Sequence, residues 1–386
     1  MTVIVGYART PFVRFNGAFA AVPAATLGAH ALGAALADAG MMPDDVELVL
    51  AGQVLQGGAG QNPARQAAVG AGVPYSVPAM TLNAVCLSGM EAVVQAHRLI
   101  TAGEAQVVVA VGQESMSLAP HAWVGSRAGQ KFGDVTLVDT LAHDGLRDAF
   151  ERDSMGLSTE RHGEGIGISR ADQDAFAAAS HARAAAAADF LRGEIAPFQT
   201  PGRGGRLVEA DDGVRVDTTA EVLARLRPAF REDGTITAGN ASQISDGAAA
   251  LVLVSDEEAD RRGLTGARVL GHALVAGPDV SLHAQPANAI RAACARAGLE
   301  VGELSAVEIN EAFAVVALAS TELLGVDPAI VDANGGAIAL GHPIGASGAR
   351  IVGHLARRLA ALGGDTVGAA ALCGGGGQGS AVVLQG

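Results

Sequence analysis

The segment Val107-Val108-Val109-Ala110-Val111 predicts a buried β-strand, because it is short, apolar and almost entirely β-branched. A predicted helix over residues 90–102 precedes it, and the same alternation recurs further toward the N-terminus. There the predicted strands Val3-Ile4-Val5 and Val46-Glu47-Leu48-Val49-Leu50 flank a predicted helix over residues 26–39. Strands that alternate with helices in this way are typical of an α/β protein with buried strands.

A similar order returns after the middle of the chain and predicts two copies of one structural plan. The predicted strands and helices alternate there in the order Arg268-Val269-Leu270-Gly271, residues 288–297, Ala306-Val307-Glu308-Ile309, residues 351–361 and Ala369-Ala370-Ala371-Leu372. Cys86 stands ahead of a predicted helix and Cys373 after a predicted strand. We interpret this common position at the end of a regular element as a second indication of a duplication.

Between the two halves lies a stretch with few strong strand patterns and with glycine-rich and charged segments at residues 202–206 and 209–213. We interpret this stretch as a loop domain over the candidate site. Its alanine-rich segment, residues 170–192, predicts a solvated supporting helix. The predicted organisation is an N-terminal half at residues 1–117 that is completed by about residues 246–256, a loop domain at residues 118–245, and a C-terminal half at residues 257–386.

The composition indicates a globular protein and excludes several classes of function. The 386 residues are 49% hydrophobic but only 3% aromatic, and 52 are glycines, so we expect a core of small aliphatic side chains with close backbone contacts. The net charge of −14, without clusters of Lys and Arg, disfavours binding to nucleic acid or to an anionic membrane. Three cysteines are too few for a disulfide framework, and we expect a soluble, cytoplasmic protein without a leader sequence or membrane span.

Four short motifs contain the candidate reactive side chains. Cys86 lies in residues 83–90, His342 in the glycine-rich run 335–348, and Cys373 directly before four glycines. Asn310 begins Asn310-Glu311-Ala312-Phe313 at the end of a predicted strand. Two thiols and an imidazole suit acyl transfer through a thioester. Taken singly, each residue has an ordinary alternative: an inert buried cysteine, a histidine or asparagine that bonds backbone in a turn, or a glycine turn that tolerates a cysteine.

The immediate surroundings of these residues add physical detail. Cys86 stands at the start of a predicted helix, where the helix dipole and free N–H groups lower a thiol pKa. His342 precedes a proline and must therefore lie in a loop. The glycines after Cys373 suit a backbone that offers N–H groups to an oxyanion. Cys294 lies within a predicted helix and is interpreted as structural.

These motifs, in this order, resemble those of the thiolase family, whose members form or cleave acyl bonds on coenzyme A. The resemblance extends to Arg9-Thr10-Pro11-Phe12 and Gly239-Asn240-Ala241-Ser242 and so covers essentially the whole chain. It implies the thiolase fold, in which two similar βαβ-type halves form a layered αβαβα core with an inserted loop domain. It also implies the reversible condensation of two acetyl-CoA molecules to acetoacetyl-CoA and free CoA, through an acyl-cysteine.

The resemblance also implies a role for each motif residue. Cys86 takes the acyl group, His342 takes the thiol proton, and Cys373 exchanges a proton with the carbon of acetyl-CoA. The N–H groups of Cys86 and Gly375 form one oxyanion hole, and Asn310 positions a water for the other. From its residue type, Glu311 is a second candidate for titration, and we rank it as a supporting residue. Contacts to CoA and to the acyl group are implied for Arg215, at the nucleotide end, and for Leu146, Met155, Phe230, Ala238, Ser242, Ala312 and Phe313.

Two positions depart from the family's short-chain pattern, because Ser154 stands where a histidine is familiar and Val222 where a serine is common. Met155-Gly156 narrows the acyl pocket in short-chain members, and this favours a four-carbon substrate. The alternatives are a 3-ketoacyl-CoA thiolase of fatty-acid breakdown and a non-catalytic acyl-CoA-binding protein.

No metal site and no external cofactor are expected, because the cysteines and histidines lack ligand spacing and no nucleotide fingerprint is present. Residues 125–133 resemble the loop through which thiolase dimers associate. We therefore expect a homo-oligomer, at least a dimer and preferably a tetramer formed as a dimer of dimers.

Overall fold

The computed structural model describes all 386 residues and contains fourteen strands and twelve α-helices. The first part contains β1 (Thr2–Arg9), β2 (Val13–Arg14), α1 (Ala24–Asp38), β3 (Leu48–Gly52), α2 (Pro63–Gly70), β4 (Ala79–Leu82), α3 (Ser88–Thr101) and β5 (Val107–Ser115). The middle part contains β6 (His121–Ala122), β7 (Val138–Asp139), α4 (Met155–His162), α5 (Arg170–Ala186), α6 (Ala188–Arg192), β8 (Phe198–Gln199), β9 (Leu207–Val208) and α7 (Ala220–Leu223). The last part contains β10 (Ser245–Ser255), α8 (Asp256–Arg262), β11 (Ala267–Ala276), α9 (Gln285–Ala297), β12 (Ala306–Ile309), α10 (Ala314–Leu324), α11 (Ala337–Leu340), α12 (Ser347–Leu362), β13 (Val367–Gly374) and β14 (Gln378–Gln385).

The strands predicted from the β-branched runs are present, with one shifted start. The strand predicted at Val46 begins at Leu48, because Pro43–Asp45 forms a turn of 3₁₀ helix that occupies the approach to it. The fold is mixed α/β, as predicted.

The main sheet has two halves with the same pattern of pairing. In the first half the order is β1-β10-β5-β3-β4, and in the second it is β11-β14-β13-β12. The first two ladders of each half are antiparallel and the ladder after them is parallel. Strands β1 and β11 join the halves through a short antiparallel ladder of three residue pairs. The two copies inferred from the sequence therefore have the same strand topology.

A matching irregularity at Gly6 and Gly271 confirms the correspondence between the halves. The pairing of β1 shifts between Ile4 and Gly6, and that of β11 shifts between Val269 and Gly271. A Cβ atom on Gly6 would lie 2.5 Å from a carbonyl oxygen of α1, and one on Gly271 would lie 2.7 Å from a carbonyl oxygen of α9. Each half therefore needs a glycine where its outer helix crosses the sheet.

The interpretation that Cys86 and Cys373 occupy the same position in the two halves is wrong. Helices α3 and α12 cross at Gly89 and Gly348, where a Cβ on Gly348 would lie 2.3 Å from the Met90 nitrogen. Cys86 precedes α3, and the loop that precedes its counterpart α12 contains His342. Cys373 lies instead inside a strand, β13. The two thiols therefore occupy different positions in the repeated plan.

The hydrophobic core has three layers, which places α3 and α12 at the centre of the molecule. One cluster of 28 buried residues lies between α1 and the first half-sheet, and a second of 28 surrounds α3 and α12 between the half-sheets. A third, of 16 residues, lies between the second half-sheet and helices α9 and α10. The resulting order is helix, sheet, helix, sheet, helix.

The helix predicted over residues 170–192 differs from the prediction in two respects. It breaks at Ala187 into α5 and α6, and Ser169 caps the start of α5 together with Asp172. One face of α5 is buried, with Ser180 and His181 fully enclosed, because the helix packs against α10 and α11. The prediction of a solvated helix is therefore wrong. Alanine occupies most exposed positions of α5, and four of its six buried residues are polar, so the sequence carried little amphipathic signal.

Strand β10, predicted to complete the N-terminal half, lies between β1 and β5. No helix of the protein combines the length and the apolar character required to cross a bilayer.

Candidate active site

A cavity of about 630 Å³ lies between the inserted middle part and the ends of the core helices. Its lining is mostly apolar and includes seven of the residues selected from the sequence: Leu146, Met155, Phe230, Ala238, Ser242, Phe313 and His342. Ala312 packs beside it, in one cluster with Phe313 and Cys373. Ser154, which departs from the family pattern, caps α4 at the cavity wall.

Cys86 lies in a tight turn that ends at the start of α3. Its neighbour Val85 has a positive φ of 52°, a strained conformation for a β-branched residue. The Ser88 hydroxyl fixes this turn because it donates to the Val85 carbonyl and accepts the N–H of Ala84. The backbone N–H groups of Gly375 and of Cys86 itself point at the Cys86 sulfur. The turn therefore presents the thiol to two N–H donors.

The expected lowering of the Cys86 pKa is not observed. Burial raises the pKa of this thiol to about 11, although the N–H groups of Gly375 and Cys86 oppose the shift, and the nearby Glu114 carboxylate raises it further. The cost of removing a thiolate from water exceeds the effect of the helix terminus. In the resting protein Cys86 is therefore a neutral thiol.

Cys373 is the second thiol and lies one residue before the end of β13. Burial raises its pKa far above the usual range, and the charge of Cys86 raises it further, because the two sulfurs lie close together. After Gly375 the chain turns through Gly376 and Gly377, whose φ angles are +79° and +70°. Two consecutive positive φ values favour glycine. The glycine run therefore returns the chain to β14 and leaves the Gly375 N–H directed at Cys86.

His342 is fixed in the loop between α11 and α12 as a neutral base. Its backbone N–H donates to the Gln243 carbonyl at 2.9 Å, and its Nδ1 lies 2.6 Å from the Ser347 hydroxyl. The Ser347 hydroxyl also lies 3.1 Å from the Pro343 carbonyl oxygen, and a hydroxyl that donates there accepts the Nδ1 proton and leaves Nε2 unprotonated. Burial and the charge of Arg350 lower the pKa of His342 to about 4. Its Nε2 is buried without a partner and is free to accept a proton.

Asn310 follows the last residue of β12, as predicted. Its backbone N–H donates to the Ala371 carbonyl at 3.0 Å, which fixes it beside β13. Both polar atoms of its side-chain amide are buried and have no partner in the protein. Buried amides without a partner are rare and suit a site for an ordered water or a substrate atom.

Arg215 lies apart from these residues and lines a neighbouring cavity of about 270 Å³ together with Val222 and Ala238. The Arg215 backbone N–H donates to Nδ1 of His181, so the proton of this neutral imidazole is on Nε2. The Arg215 guanidinium nitrogen 3.3 Å from Nε2 therefore faces another donor and keeps its protons available. Ala238 lines both cavities, so the predicted nucleotide end lies next to the acyl end.

Two groups of residues at this site were not predicted from the sequence. Ser347 orients His342, and the only signal for this role was that Ser347 stands five residues after His342 in the same glycine-rich run. Leu55, Met116 and Ile344 pack around Cys86 from three distant segments, and nothing in their local sequence indicated that contact.

Cys294 is buried within α9, away from the other thiols. The protein contains no group of three or more His, Cys, Asp or Glu side chains arranged to hold a metal ion.

Family comparison covers nearly the whole chain. Residues 2–257 match the thiolase N-terminal domain, and residues 264–386 match the thiolase C-terminal domain. The chain is 54% identical to a probable acetyl-CoA acetyltransferase of Mycolicibacterium smegmatis over 99% of its own length and 100% of the relative's. It is 52% identical to a probable acetyl-CoA acetyltransferase of Mycobacterium tuberculosis, over 100% and 99% of the two lengths. It is 46% identical to an acetyl-CoA acetyltransferase of Pseudomonas aeruginosa, over 99% and 98%.

Proposed function

The chain belongs to the thiolase family, and from this premise we propose that it is an acetyl-CoA C-acetyltransferase that condenses two acetyl-CoA molecules to acetoacetyl-CoA and free CoA. The observation that carries the proposal is a pair of neighbouring neutral thiols, Cys86 and Cys373, with the loop of His342 packed on Cys86 through Ile344. The Nε2 of His342 is buried and has no partner in the protein. A protein that only binds acyl-CoA does not require these two thiols and the imidazole.

In the first half-reaction the Cys86 sulfur attacks the thioester carbonyl of acetyl-CoA. Nε2 of His342 takes the thiol proton, and the N–H groups of Cys86 and Gly375 stabilise the oxyanion. The carbon–sulfur bond to CoA breaks, and the departing CoA thiolate takes the proton of Cys373. The products are free CoA, acetyl-Cys86, a protonated His342 and a Cys373 thiolate.

In the second half-reaction the Cys373 thiolate removes a proton from the methyl group of a second acetyl-CoA. Because burial makes this thiolate strongly basic, it suits so weak a carbon acid. The resulting carbanion attacks acetyl-Cys86, a carbon–carbon bond forms, and the Cys86 thiolate leaves and recovers its proton from His342. Asn310, through a water, would stabilise the enolate oxygen. No other cofactor is needed, since protons and acyl groups balance within the site.

CoA would lie along these two adjacent cavities. The free guanidinium donors of Arg215 suit a phosphate of the nucleotide end, and the apolar wall of Leu146, Phe230 and Phe313 suits pantetheine and the acyl group.

The test of the function uses radiolabelled acetyl-CoA and two cysteine variants. We expect Cys86→Ala to lose all protein-bound label, because no other side chain takes the acyl group. Cys373→Ala should still be labelled but should lose condensation and thiolysis by roughly 10²- to 10⁴-fold, the usual contribution of a general base. A wild-type protein that fails to cleave acetoacetyl-CoA with free CoA would contradict the proposal and favour a non-catalytic acyl-CoA-binding protein. Equal cleavage of eight-carbon substrates would favour the degradative 3-ketoacyl-CoA thiolase.

We also propose a tetramer built from two dimers, located in the cytoplasm. The loop at residues 125–133 is exposed along its whole length, and Phe132 at its tip is 96% exposed, which is unusual for a phenylalanine that no partner covers. Light scattering that gave a monomer would contradict this assembly. The cytoplasmic proposal rests on the need to keep Cys86 and Cys373 reduced.

A further inference from the structure

Glu311 is a buried carboxylate that connects both catalytic loops to the inserted middle part of the chain. It is the residue after Asn310 and is fully enclosed. Its Oε2 accepts the Ser180 hydroxyl of α5 at 2.7 Å and the backbone N–H of Ile338 in α11 at 2.9 Å. Helix α11 leads directly into His342. One carboxylate oxygen therefore connects α5 and the Asn310 turn with the segment that precedes His342.

The glycines before α11 allow this contact. Ser180 also accepts the backbone N–H of Gly336 at 3.2 Å. A Cβ on Gly335 would lie 2.6 Å from the Ser180 carbonyl oxygen, and one on Gly336 would lie 2.4 Å from the carboxyl carbon of Glu311. Gly335 also has a positive φ of 79°. Neither position accepts a side chain without displacing the pair, so these two glycines serve the contact with Ser180 and Glu311.

The same helix reaches the predicted CoA site. His181 follows Ser180 in α5, and its Nδ1 accepts the backbone N–H of Arg215 at 3.1 Å. Consecutive residues of α5 therefore contact the arginine proposed for the nucleotide end of CoA and the carboxylate beside Asn310.

We propose that Ser180 and Glu311 are positioning residues, which hold Asn310 and His342 in their reacting geometry and tie that geometry to the CoA-binding region. The inference rests on the proposed function, for which Asn310 and His342 must lie at a fixed separation. Neither residue touches the reacting atoms. They act through three hydrogen bonds and through the close approach of α11 to α5.

The two oxygens of Glu311 have different surroundings, so the hydrogen bonds of this side chain and its charge can be tested separately. Both hydrogen bonds fall on Oε2, while Oε1 of Glu311 has no partner. A glutamine in the same place can keep both bonds on its carbonyl oxygen and put its amide group at the free position. Glu311→Gln therefore removes the charge and keeps both bonds, whereas Glu311→Ala removes both. Ser180→Ala removes the bond to Glu311 and also the bond that Ser180 accepts from Gly336.

The experiment measures kcat and KM for acetoacetyl-CoA thiolysis in these three variants. We expect kcat to fall about tenfold or more in Ser180→Ala and Glu311→Ala, because small misplacements of reacting groups are costly. We expect Glu311→Gln to stay within about twofold of the wild type, with KM for CoA little changed in all three. The matched control is Ser380→Ala, which removes another buried serine–glutamate bond of 2.7 Å, to Glu91, and should keep normal kcat.

Normal kcat in the two alanine variants would overturn the proposal, and so would a loss in Glu311→Gln as large as in Glu311→Ala. Amide hydrogen exchange over residues 335–341 gives a second readout that needs no activity. Exchange should accelerate in Ser180→Ala and Glu311→Ala but not in Glu311→Gln, and equal exchange in all forms would contradict the inference. An inactive wild type would contradict the proposed function, and the exchange measurement would still decide the positioning role.

Discussion

Cys86, Cys373 and His342 are neutral in the resting protein because the surrounding protein displaces water that would solvate their charged forms, with Cys373 and His342 buried and Cys86 half-buried. Burial raises the pKa of both thiols and lowers that of the imidazole. Charge therefore appears only when a proton moves during the reaction. The N–H groups at Cys86 and the free Nε2 of His342 are already in place for that moment.

The neutral state of Cys86 predicts how the thiol reacts with iodoacetamide. With a pKa of about 11, its alkylation rate should keep rising as the pH increases through 10, because only the thiolate reacts. Mass spectrometry of the modified peptide measures this rate, and Cys86→Ala gives the background from the two more deeply buried cysteines. A rate that levels off below about pH 8 would instead indicate a thiolate paired with a protonated histidine.

The position of Met155 leads to a prediction about the acyl-chain length of the substrate. It is the first residue of α4, and its sulfur lies 3.9 Å from the place of a Cβ on Gly375, so its side chain is close to the acyl end of the cavity. Met155→Ala should favour longer ketoacyl-CoA substrates over acetoacetyl-CoA by about tenfold in kcat/KM, since each added methylene gains roughly 0.8 kcal/mol in apolar space.

The comparison needs ketoacyl-CoA substrates of several lengths and the exposed variant Met42→Ala as a control. An unchanged preference in Met155→Ala would mean that another wall limits the pocket. The residues around Cys86, Leu55 and Ile344 among them, would then be the next candidates.

At the scale of secondary-structure elements, the end of β5 organises the loops around Cys86. The Glu114 carboxylate accepts the N–H groups of Val54, Leu55 and Gly345 at 2.9 to 3.1 Å. Val54 and Leu55 follow β3, whereas Gly345 belongs to the loop of His342. Burial raises the pKa of Glu114 to about 7 although these three N–H groups oppose the shift. The Glu114 carboxylate therefore joins the two halves, and its contribution to the free energy of folding depends on pH.

Glu114→Gln should change the pH dependence of stability. Because the folded protein binds the Glu114 proton more tightly than the unfolded chain, its stabilising contribution is complete below about pH 4.5 and is lost as the pH rises through about 7. The glutamine variant cannot titrate, so its melting temperature should rise relative to that of the wild type between about pH 4.5 and about pH 7 and then keep a constant difference. Exposed Glu104→Gln is the control. A constant difference across this range would show that Glu114 does not titrate there.

At the scale of the whole molecule, a buried chain of charges joins three parts of the sequence. Arg9 at the end of β1 bonds Glu194 at 3.0 Å and bonds both oxygens of Asp211. Glu194 also bonds His354 of α12. Burial opposes ionisation of Glu194, but the charges of His354 and Arg9 prevail and hold its pKa at about 2. The inserted part is therefore held to both halves by paired charges that are almost fully enclosed.

Breaking this chain should destabilise the fold as a whole. Glu194→Ala leaves His354 without its carboxylate, and removal of one partner from a buried pair typically costs about 3–5 kcal/mol of unfolding free energy. Because the pKa of Glu194 is lowered, this stabilisation is present above about pH 4.5 and is lost as the pH falls toward 2. Urea unfolding at several pH values measures it. Asp189→Ala, which removes an exposed ion pair, should change nothing measurable, and an equally small effect of Glu194→Ala would contradict the prediction.

The sequence by itself determined six strands of the main sheet with helices among them, the repeated plan and the four reactive motifs. It could do so because these features are local: β-branched runs, helical periodicity, and cysteine, histidine and asparagine beside glycine or proline. The prediction that α5 is exposed to solvent was wrong, because alanine fits either face of a helix. The equivalence of the two cysteines was also wrong, since it depends on which elements correspond in space.

Only the tertiary structure decided the acid strengths and the partners of the reactive groups. The helix start at Cys86 indicated a lowered pKa, but burial by the middle part of the chain and the facing half outweighs the local dipole. Ser180 lies 131 residues from Glu311, and Glu114 lies 231 residues from Gly345. Desolvation and hydrogen bonds across such separations follow from how the layers pack, and no local pattern encodes them.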